Sequence, residues 1–341
     1  MAAETDLDPA SVDLRAIEAA REVIAPHVHR TPLLSSTAAA SVVHRATGHR
    51  LADGRVYLKA EHLQKTGSFK PRGMTYRVAT LGPEERRRGI ITVSAGNAAQ
   101  GYAYAGAVFG VPVTVVMPAA ANPMKAAAAA GYGARVVLEG AHVGETFAAK
   151  DRIAAEEGLT FCHPFDDANV VAGHGSVGLE LLEDLPEVDV VIVGIGGGGL
   201  ISGVATALKA KRPGVRVIGI EPTGSNALGQ ALANGAPVTI APKSVADGLN
   251  APFAGALTLE LVQRFVDDVI TIDDSIILAG LKFAIERTKQ ALEPAGAAAL
   301  GALLAGSVAV RDGERVAVVL SGGNVDTSRL GEFLAAAAPL A

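Results

Sequence analysis

Residues 190–200 read VVIVGIGGGGL, and ISGVATALKAK follows directly. A β-branched apolar run that stops at four consecutive glycines and resumes with helical spacing reads as a strand, a tight turn and a helix. Such units build parallel sheets, because two parallel strands need a crossover between them. The turn also carries chemistry. Glycines let backbone approach an anion closely, and the free N–H groups at the helix start point at it. The pattern therefore predicts a bound phosphate but leaves the rest of the ligand open. Gly194, Gly196 and Gly199 satisfy G-x-G-x-x-G, and Glu221 ends the next apolar run, VRVIGIE, where a ribose-binding carboxylate would stand. A nicotinamide-dependent dehydrogenase is one reading; a smaller cofactor with a single phosphate is the other.

Strand and helix patterns alternate along most of the chain. Strands are expected at 55–61, 91–97, 111–118, 134–140, 188–194, 215–221 and 315–323. Helices are expected from 13 to 24 with Ser11 as cap, from about Phe69, over 98–110, over 122–133 with Gly131 and Gly133 ending it, and over 145–158. Continuous Val/Ile runs suit strands covered on both faces. The expected class is α/β, two-lobed, with parallel doubly wound sheets. The 341 residues show no solenoid-length repeat and no Ser/Pro linker, so lobes that exchange chain fit better than successive beads. The division read from the pattern is 1–84 with 157–341 as a large domain, and 85–156 as a small mobile one.

Composition narrows the function classes. Hydrophobic residues make up 49% and charged residues 19%, and the net charge is −5 with no basic block, which disfavours nucleic acid and acidic membrane as partners. The single cysteine, Cys162, excludes an intrachain disulfide and a cysteine-rich metal site, and reads as a small buried hydrophobe. The acidic N-terminus has no apolar core segment, so no signal peptide is expected. The longest apolar stretch, 295–310, is too short to span a bilayer. A soluble, cytoplasmic protein is the expectation.

In such sheets, ligands sit beyond the carboxyl ends of the strands. SAGNAAQG (94–101), GIGGGGL (194–200) and SGGNVD (321–326) all share that address and can surround one crevice. KTGSFKPRGM (65–74) adds a lysine. An isolated lysine is usually a solvated charge, but Lys70 lies between Phe69 and a proline at a helix start. Thr66, Gly67 and Ser68 before it make a polar turn suited to capping. Enclosed near a phosphate loop, its amine would have a lowered pKa and could act as nucleophile or base.

LKAEHLQKTGSFKPRGM, VSAGNAAQGYAYA, HPFDDANVVAGHGSVGLEL, GIGGGGLISG, VADGL, EPAGAAAL and LSGGNVD, in this order over residues 30–326, resemble the fold-type II (tryptophan synthase β-like) pyridoxal-phosphate enzymes. Within these, the chain is most similar to threonine/serine dehydratases and their serine racemase relatives. The resemblance implies that Lys70 carries pyridoxal 5'-phosphate covalently and acts as the base. It implies that Gly196, Gly197, Gly198 and Gly199, with the helix beginning near Leu200, hold the phosphate. Asn97 would bond the ring oxygen O3′, Ser321 the pyridine nitrogen, and Phe69 would pack near the ring. Ser94, Ala95, Gly96, Asn97 and Ala98 would grip the substrate carboxylate.

The implied reaction is β-elimination from L-threonine, L-serine or another 3-hydroxy amino acid, giving a 2-oxo acid and ammonia. Racemisation and β-replacement on the same fold are the alternatives. Racemases of this group carry serine where this chain has Ala95, and alanine cannot shuttle a proton. Ala98 stands where threonine dehydratases usually have histidine, which widens the pocket; β-replacing relatives typically have threonine there. The chain ends 17 residues after Asn324, which fits a degradative type without a C-terminal regulatory domain, and the family implies a homodimer.

Other candidates carry less. Glu221-Pro222 resembles the start of a cation site in racemase-like relatives, but TGSNALG supplies no second acid, so no metal is expected and a strand-end surface acid is preferred. His163 and His174 read as hydrogen-bonded structural residues. Asp247 and Glu293 lie in motifs near the cofactor or serve as caps.

Overall fold

The structure, a computed structural model, describes residues 8–340. Its strands are β1 (Leu33–Ser36), β2 (Val56–Lys59), β3 (Ile90–Val93), β4 (Val113–Met117), β5 (Arg135–Leu138), β6 (Thr160–Phe161), β7 (Val190–Gly194), β8 (Arg216–Pro222), β9 (Asp268–Ile272) and β10 (Val316–Val319). A six-stranded sheet has the order β1-β2-β10-β7-β8-β9, and a four-stranded sheet the order β5-β4-β3-β6. Neighbours are parallel throughout, except that β1 runs antiparallel to β2 with Leu33 opposite Lys59. The α/β reading holds, with a mixed edge on the larger sheet.

Strand periodicity decides how the layers pack. On one face of the larger sheet, Val190, Ile192, Ile218, Ile220, Val316 and Val318 meet the helices Asp274–Phe283 and Pro294–Leu304. On the other, Val191, Val193, Val217 and Val319 meet the helices Ala168–Asp184 and Gly199–Lys211. Both faces are therefore dry, which is why these strands read as unbroken apolar runs. In the smaller sheet, Ile90, Val113 and Val115 face the helix Asn97–Phe109, while Ile91 and Val116 face Ala149 and Ile153 of the helix Val143–Glu157.

Several local expectations are corrected. Ser11 does not cap the first helix. It ends a short 3-10 turn with its hydroxyl donating to the Asp8 carbonyl at 2.6 Å, while Asp13 caps Leu14–Ile24 by accepting from Ala16 N at 2.8 Å. The helix after Lys70 starts at Pro71, not Phe69, and Lys70 is its first flanking residue, without a side-chain cap. Ser68 is no cap either; its buried hydroxyl has no partner among the described residues. Nothing in the sequence pattern predicts strands β1, β6 and β9.

Beneath Lys70 lies a buried cluster of charges. Arg72, fully enclosed, donates to Glu61 through Nε (2.7 Å) and Nη2 (2.9 Å), and to Glu180 through Nη1 (2.7 Å) and Nη2 (2.8 Å). Lys59 Nζ donates to Glu180 at 2.6 Å and to the Thr31 carbonyl at 2.7 Å. Two bidentate forks on one guanidinium satisfy nearly all its donors. They tie the helix Pro71–Ala79 to β2, to the turn Glu61–Leu63 and to the helix Ala168–Asp184. Burial alone would raise the Glu180 pKa, yet Arg72 and Lys59 hold it below the ordinary carboxylate value. A depressed carboxylate contributes stability above its unfolded pKa and loses it as pH falls through the folded one. Removing one partner strands a buried charge, so Arg72→Met should destabilise the chain by about 3–5 kcal/mol, read as a lowered denaturant midpoint at neutral pH. The deficit relative to wild type should shrink when both are unfolded in acid, below the carboxylate range.

Candidate active site

The carboxyl ends of β3, β7 and β10 converge on a cavity of about 320 Å³ between the two sheets. Every residue that the sequence singled out for cofactor and substrate lines it: Phe69 and Lys70, Ser94 through Ala98, Gly196 through Leu200, and Ser321.

Lys70 reaches it because its loop is stitched to the end of β10. Ser68 pairs with Gly322 in an isolated antiparallel bridge, Phe69 N donates to the Ser321 carbonyl at 3.1 Å, and Gly323 N donates to the Gly67 carbonyl at 2.8 Å. The Lys70 ammonium lies 4.9 Å from the centre of the Phe69 ring and donates to the Pro164 carbonyl at 3.2 Å. No carboxylate of the described residues lies within ion-pair distance of it. Enclosure disfavours the charged form and pushes its pKa down to about 8, with Glu293 opposing the fall. Phe69 packs edge-on against His174, ring centres 4.7 Å apart, and His174 Nδ1 accepts from Gly73 N at 3.1 Å.

The tetraglycine turn feeds the helix Gly199–Lys211, one residue earlier than expected. Gly198 has φ +94°, a left-handed conformation that favours glycine. The N–H groups of Gly196, Gly197 and Gly198 donate to no described residue, and those of the first helical turn have no intrahelical acceptor. The turn is braced from outside. Thr258 Oγ1 donates to the Gly197 carbonyl at 2.8 Å, and Asp166 accepts from Ala256 N at 3.0 Å and Thr258 N at 3.1 Å.

Across the cavity, Gly96 N donates to Ser94 Oγ at 3.2 Å, and the helix Asn97–Phe109 begins. Asn97 links the smaller sheet's helix to residues that follow strands of the larger sheet. Its Oδ1 accepts from Asn324 Nδ2 at 2.7 Å, and its Nδ2 donates to Glu293 Oε1 at 2.5 Å. At the mouth, Lys125 from the helix Pro123–Gly131 pairs with Asp247. Phe147 and Phe253 stand 6.4 Å apart, and both line the cavity.

Sequence reasoning missed Lys125, Phe147, Pro164, Phe165 and Phe253 as cavity residues. The HPFDD motif carried a signal for Pro164 and Phe165; nothing local marked the other three. Glu221 is buried, not a surface acid. It accepts from Leu228 N at 2.9 Å and Gly229 N at 2.8 Å, and burial raises its pKa to about 7. His163 Nδ1 accepts from Asp166 N at 2.8 Å, and burial lowers its pKa to about 3. The Cys162 thiol is buried and pushed up to about 12.

Comparison with known proteins assigns the architecture. The family described as pyridoxal-phosphate dependent enzyme matches residues 24–322. The chain is 41% identical over 324 residues to the L-threonine ammonia-lyase of Thermotoga maritima, covering 95% of this chain and 78% of that protein. It superposes on maize serine racemase with a TM-score of 0.87 at 38% identity, covering 94% of this chain and 96% of the other. It superposes on the T.th. threonine deaminase with a TM-score of 0.82, also at 38% identity, covering 92% of this chain and 99% of the other.

The residues present fit that cofactor. An aldehyde with a phosphate arm needs an amine able to lose its proton and a set of unpartnered N–H groups, and the same cavity holds both in Lys70 and the tetraglycine turn. The chain belongs to the pyridoxal-phosphate dependent enzymes.

Proposed function

We propose that this chain eliminates the β-hydroxyl of an L-threonine- or L-serine-like amino acid, releasing a 2-oxo acid and ammonia. The observation that carries the reading is that Lys70, an enclosed amine without a carboxylate partner among the described residues, shares one cavity with the tetraglycine turn and the Ser94–Ala98 loop. Similarity to proteins named threonine ammonia-lyase and threonine deaminase supports the substrate class.

Bound pyridoxal phosphate supplies the electron withdrawal that makes the Cα–H of the substrate acidic. The chain's own residues do the rest. Lys70 would hold the cofactor through its amine, and its Nζ, free of any carboxylate partner among the described residues, would take the Cα proton of the substrate. Gly196, Gly197, Gly198, Gly199 and Leu200 hold the phosphate through backbone N–H groups. Ser321 would offer the ring nitrogen a neutral hydroxyl and no carboxylate, a partner suited to prompt loss of a β-group. Asn97 would bond the ring oxygen and Phe69 would flank the ring. Ser94, Ala95, Gly96, Asn97 and Ala98 receive the substrate carboxylate through N–H groups and the Ser94 hydroxyl.

The racemase relatives favour a second reading, racemisation on the same site. Ala95 weighs against it, since its methyl group can carry no proton to the opposite face of Cα. Ala98 leaves room for a larger β-substituent and supplies no threonine hydroxyl for β-replacement. In this reading residues 85–156 move as a small domain against 1–84 and 157–341, and the enzyme is a cytoplasmic homodimer of amino-acid catabolism. No helix of the described residues is long and apolar enough to cross a membrane.

Lys70→Ala should lower 2-oxo acid formation from L-threonine and L-serine by at least about a thousandfold, measured with added pyridoxal phosphate; undiminished turnover would refute the assignment. Ala95→Ser should raise the ratio of racemisation to elimination, followed by chiral chromatography of residual serine. An unchanged ratio would show that position 95 does not face the second side of Cα.

A further inference from the structure

Glu293 is a carboxyl group enclosed in the cavity wall, and no cation of the described residues pairs with it. It precedes the helix Pro294–Leu304 without capping it by side chain, and its Oε1 accepts from Asn97 Nδ2 at 2.5 Å. Nothing in the reaction outlined above employs it, although it shares the cavity with Lys70 and Ser321.

Its place is built. Asn324 Nδ2 donates to the Thr66 carbonyl at 2.8 Å and to Asn97 Oδ1 at 2.7 Å. This fixes which end of the Asn97 amide is the acceptor and turns Nδ2 toward Glu293 and the cavity. Gly322 lets the carboxyl approach: a Cβ there would stand 2.1 Å from Glu293 Oε1. The SGGN motif thus supplies Ser321 for the ring, Gly322 for clearance and Asn324 for the relay. The charged groups that face Glu293 are Asp247 from the turn Asp247–Leu249, Lys125 from the helix Pro123–Gly131 and Lys70.

We propose that Glu293 is a positioning residue that orients Asn97 toward the cofactor ring oxygen and holds a proton beside it. This rests on the reading of Asn97 given above. Burial, helped by Asp247, raises the Glu293 pKa to about 7, while Asn97, Lys125 and Lys70 oppose the rise. Below that pH the neutral acid still accepts from Asn97 Nδ2 through one oxygen and brings a hydrogen-bond donor to the cavity through the other. Above it, the group is an acceptor only. The electronic state of a ring bonded through Asn97 then depends on pH across that value.

The test is spectroscopic and uses the full chain loaded with pyridoxal phosphate, without substrate. The visible absorption band of wild type should shift as pH passes about 7. In Glu293→Gln the shift should vanish, and in Asp247→Asn its midpoint should move to lower pH, because a like charge has been removed. A band that titrates identically in wild type and Glu293→Gln, or that does not titrate in wild type, overturns the proposal. If Glu293→Gln does not fold, the infrared carbonyl stretch of a protonated carboxylic acid in the loaded wild type decides: it should fade as pH rises through the same value and should do so at lower pH in Asp247→Asn, and its absence overturns the proposal. Wild-type protein that acquires no visible band with pyridoxal phosphate overturns the cofactor reading itself, whereas a normal band without the Glu293 effect overturns only the role of Glu293.

Discussion

The guanidinium of Arg72 is the point on which the active-site geometry turns. It sits two residues beyond Lys70 and is gripped by Glu61 and Glu180, themselves carried on a turn after β2 and on the central helix Ala168–Asp184. A buried ion network is weak evidence for net stability, because desolvation offsets much of the attraction. It is strong evidence for specification. Only one placement of the helix Pro71–Ala79 satisfies both forks, so the direction in which Lys70 leaves the chain is fixed from below. Lys59 completes the balance by giving Glu180 a second cation. Two carboxylates and two cations enclosed together leave no uncompensated charge in this cluster under the cavity.

What the sequence made legible follows from how local each signal is. The tetraglycine turn, SAGN and SGGN each combine a strand end with residues that free or expose backbone N–H groups, and those signals need no tertiary context. Lys70 was legible because an aromatic and a proline flank it. The strands that escaped notice are those with the weakest local pattern: β6 has two residues, and β1 and β9 lie at sheet edges with half-exposed faces. The cap at Asp13 competed with Ser11, and the aspartate prevailed because Ser11 closes the preceding turn. Thr66 adopts φ +61°, so the TGS turn presents its backbone to SGGN and gives the helix no hydroxyl cap.

The cavity's outer parts were not legible for a different reason. Lys125 and Asp247 are 122 residues apart in sequence and meet only because the smaller sheet folds over the larger one. Phe147 and Phe253 are likewise far apart in sequence and meet only through tertiary packing. The EPAG motif left Glu293 open between a place near the cofactor and a helix cap; its burial and its contact with Asn97 depend on Gly322, far downstream, and no local signal shows them. Glu221 was misjudged as exposed because a strand-end acid usually is, whereas here two backbone N–H groups of the following helix enclose it.

The Ser68–Gly322 bridge has a consequence for how such a cavity can empty. Lys70, Ser321 and the tetraglycine turn all belong to the larger sheet and its direct attachments, whereas Ser94 through Gly96 ride on β3 of the smaller one. A hinge between the sheets would widen the gap beside Ser94, while Lys70 and Ser321 would stay tied to each other through the Ser68–Gly322 bridge. A molecule held in part by the β3 loop would lose those contacts on such an opening, whereas a group anchored on Lys70 and the tetraglycine turn would keep its anchor and give up only what Asn97 supplies.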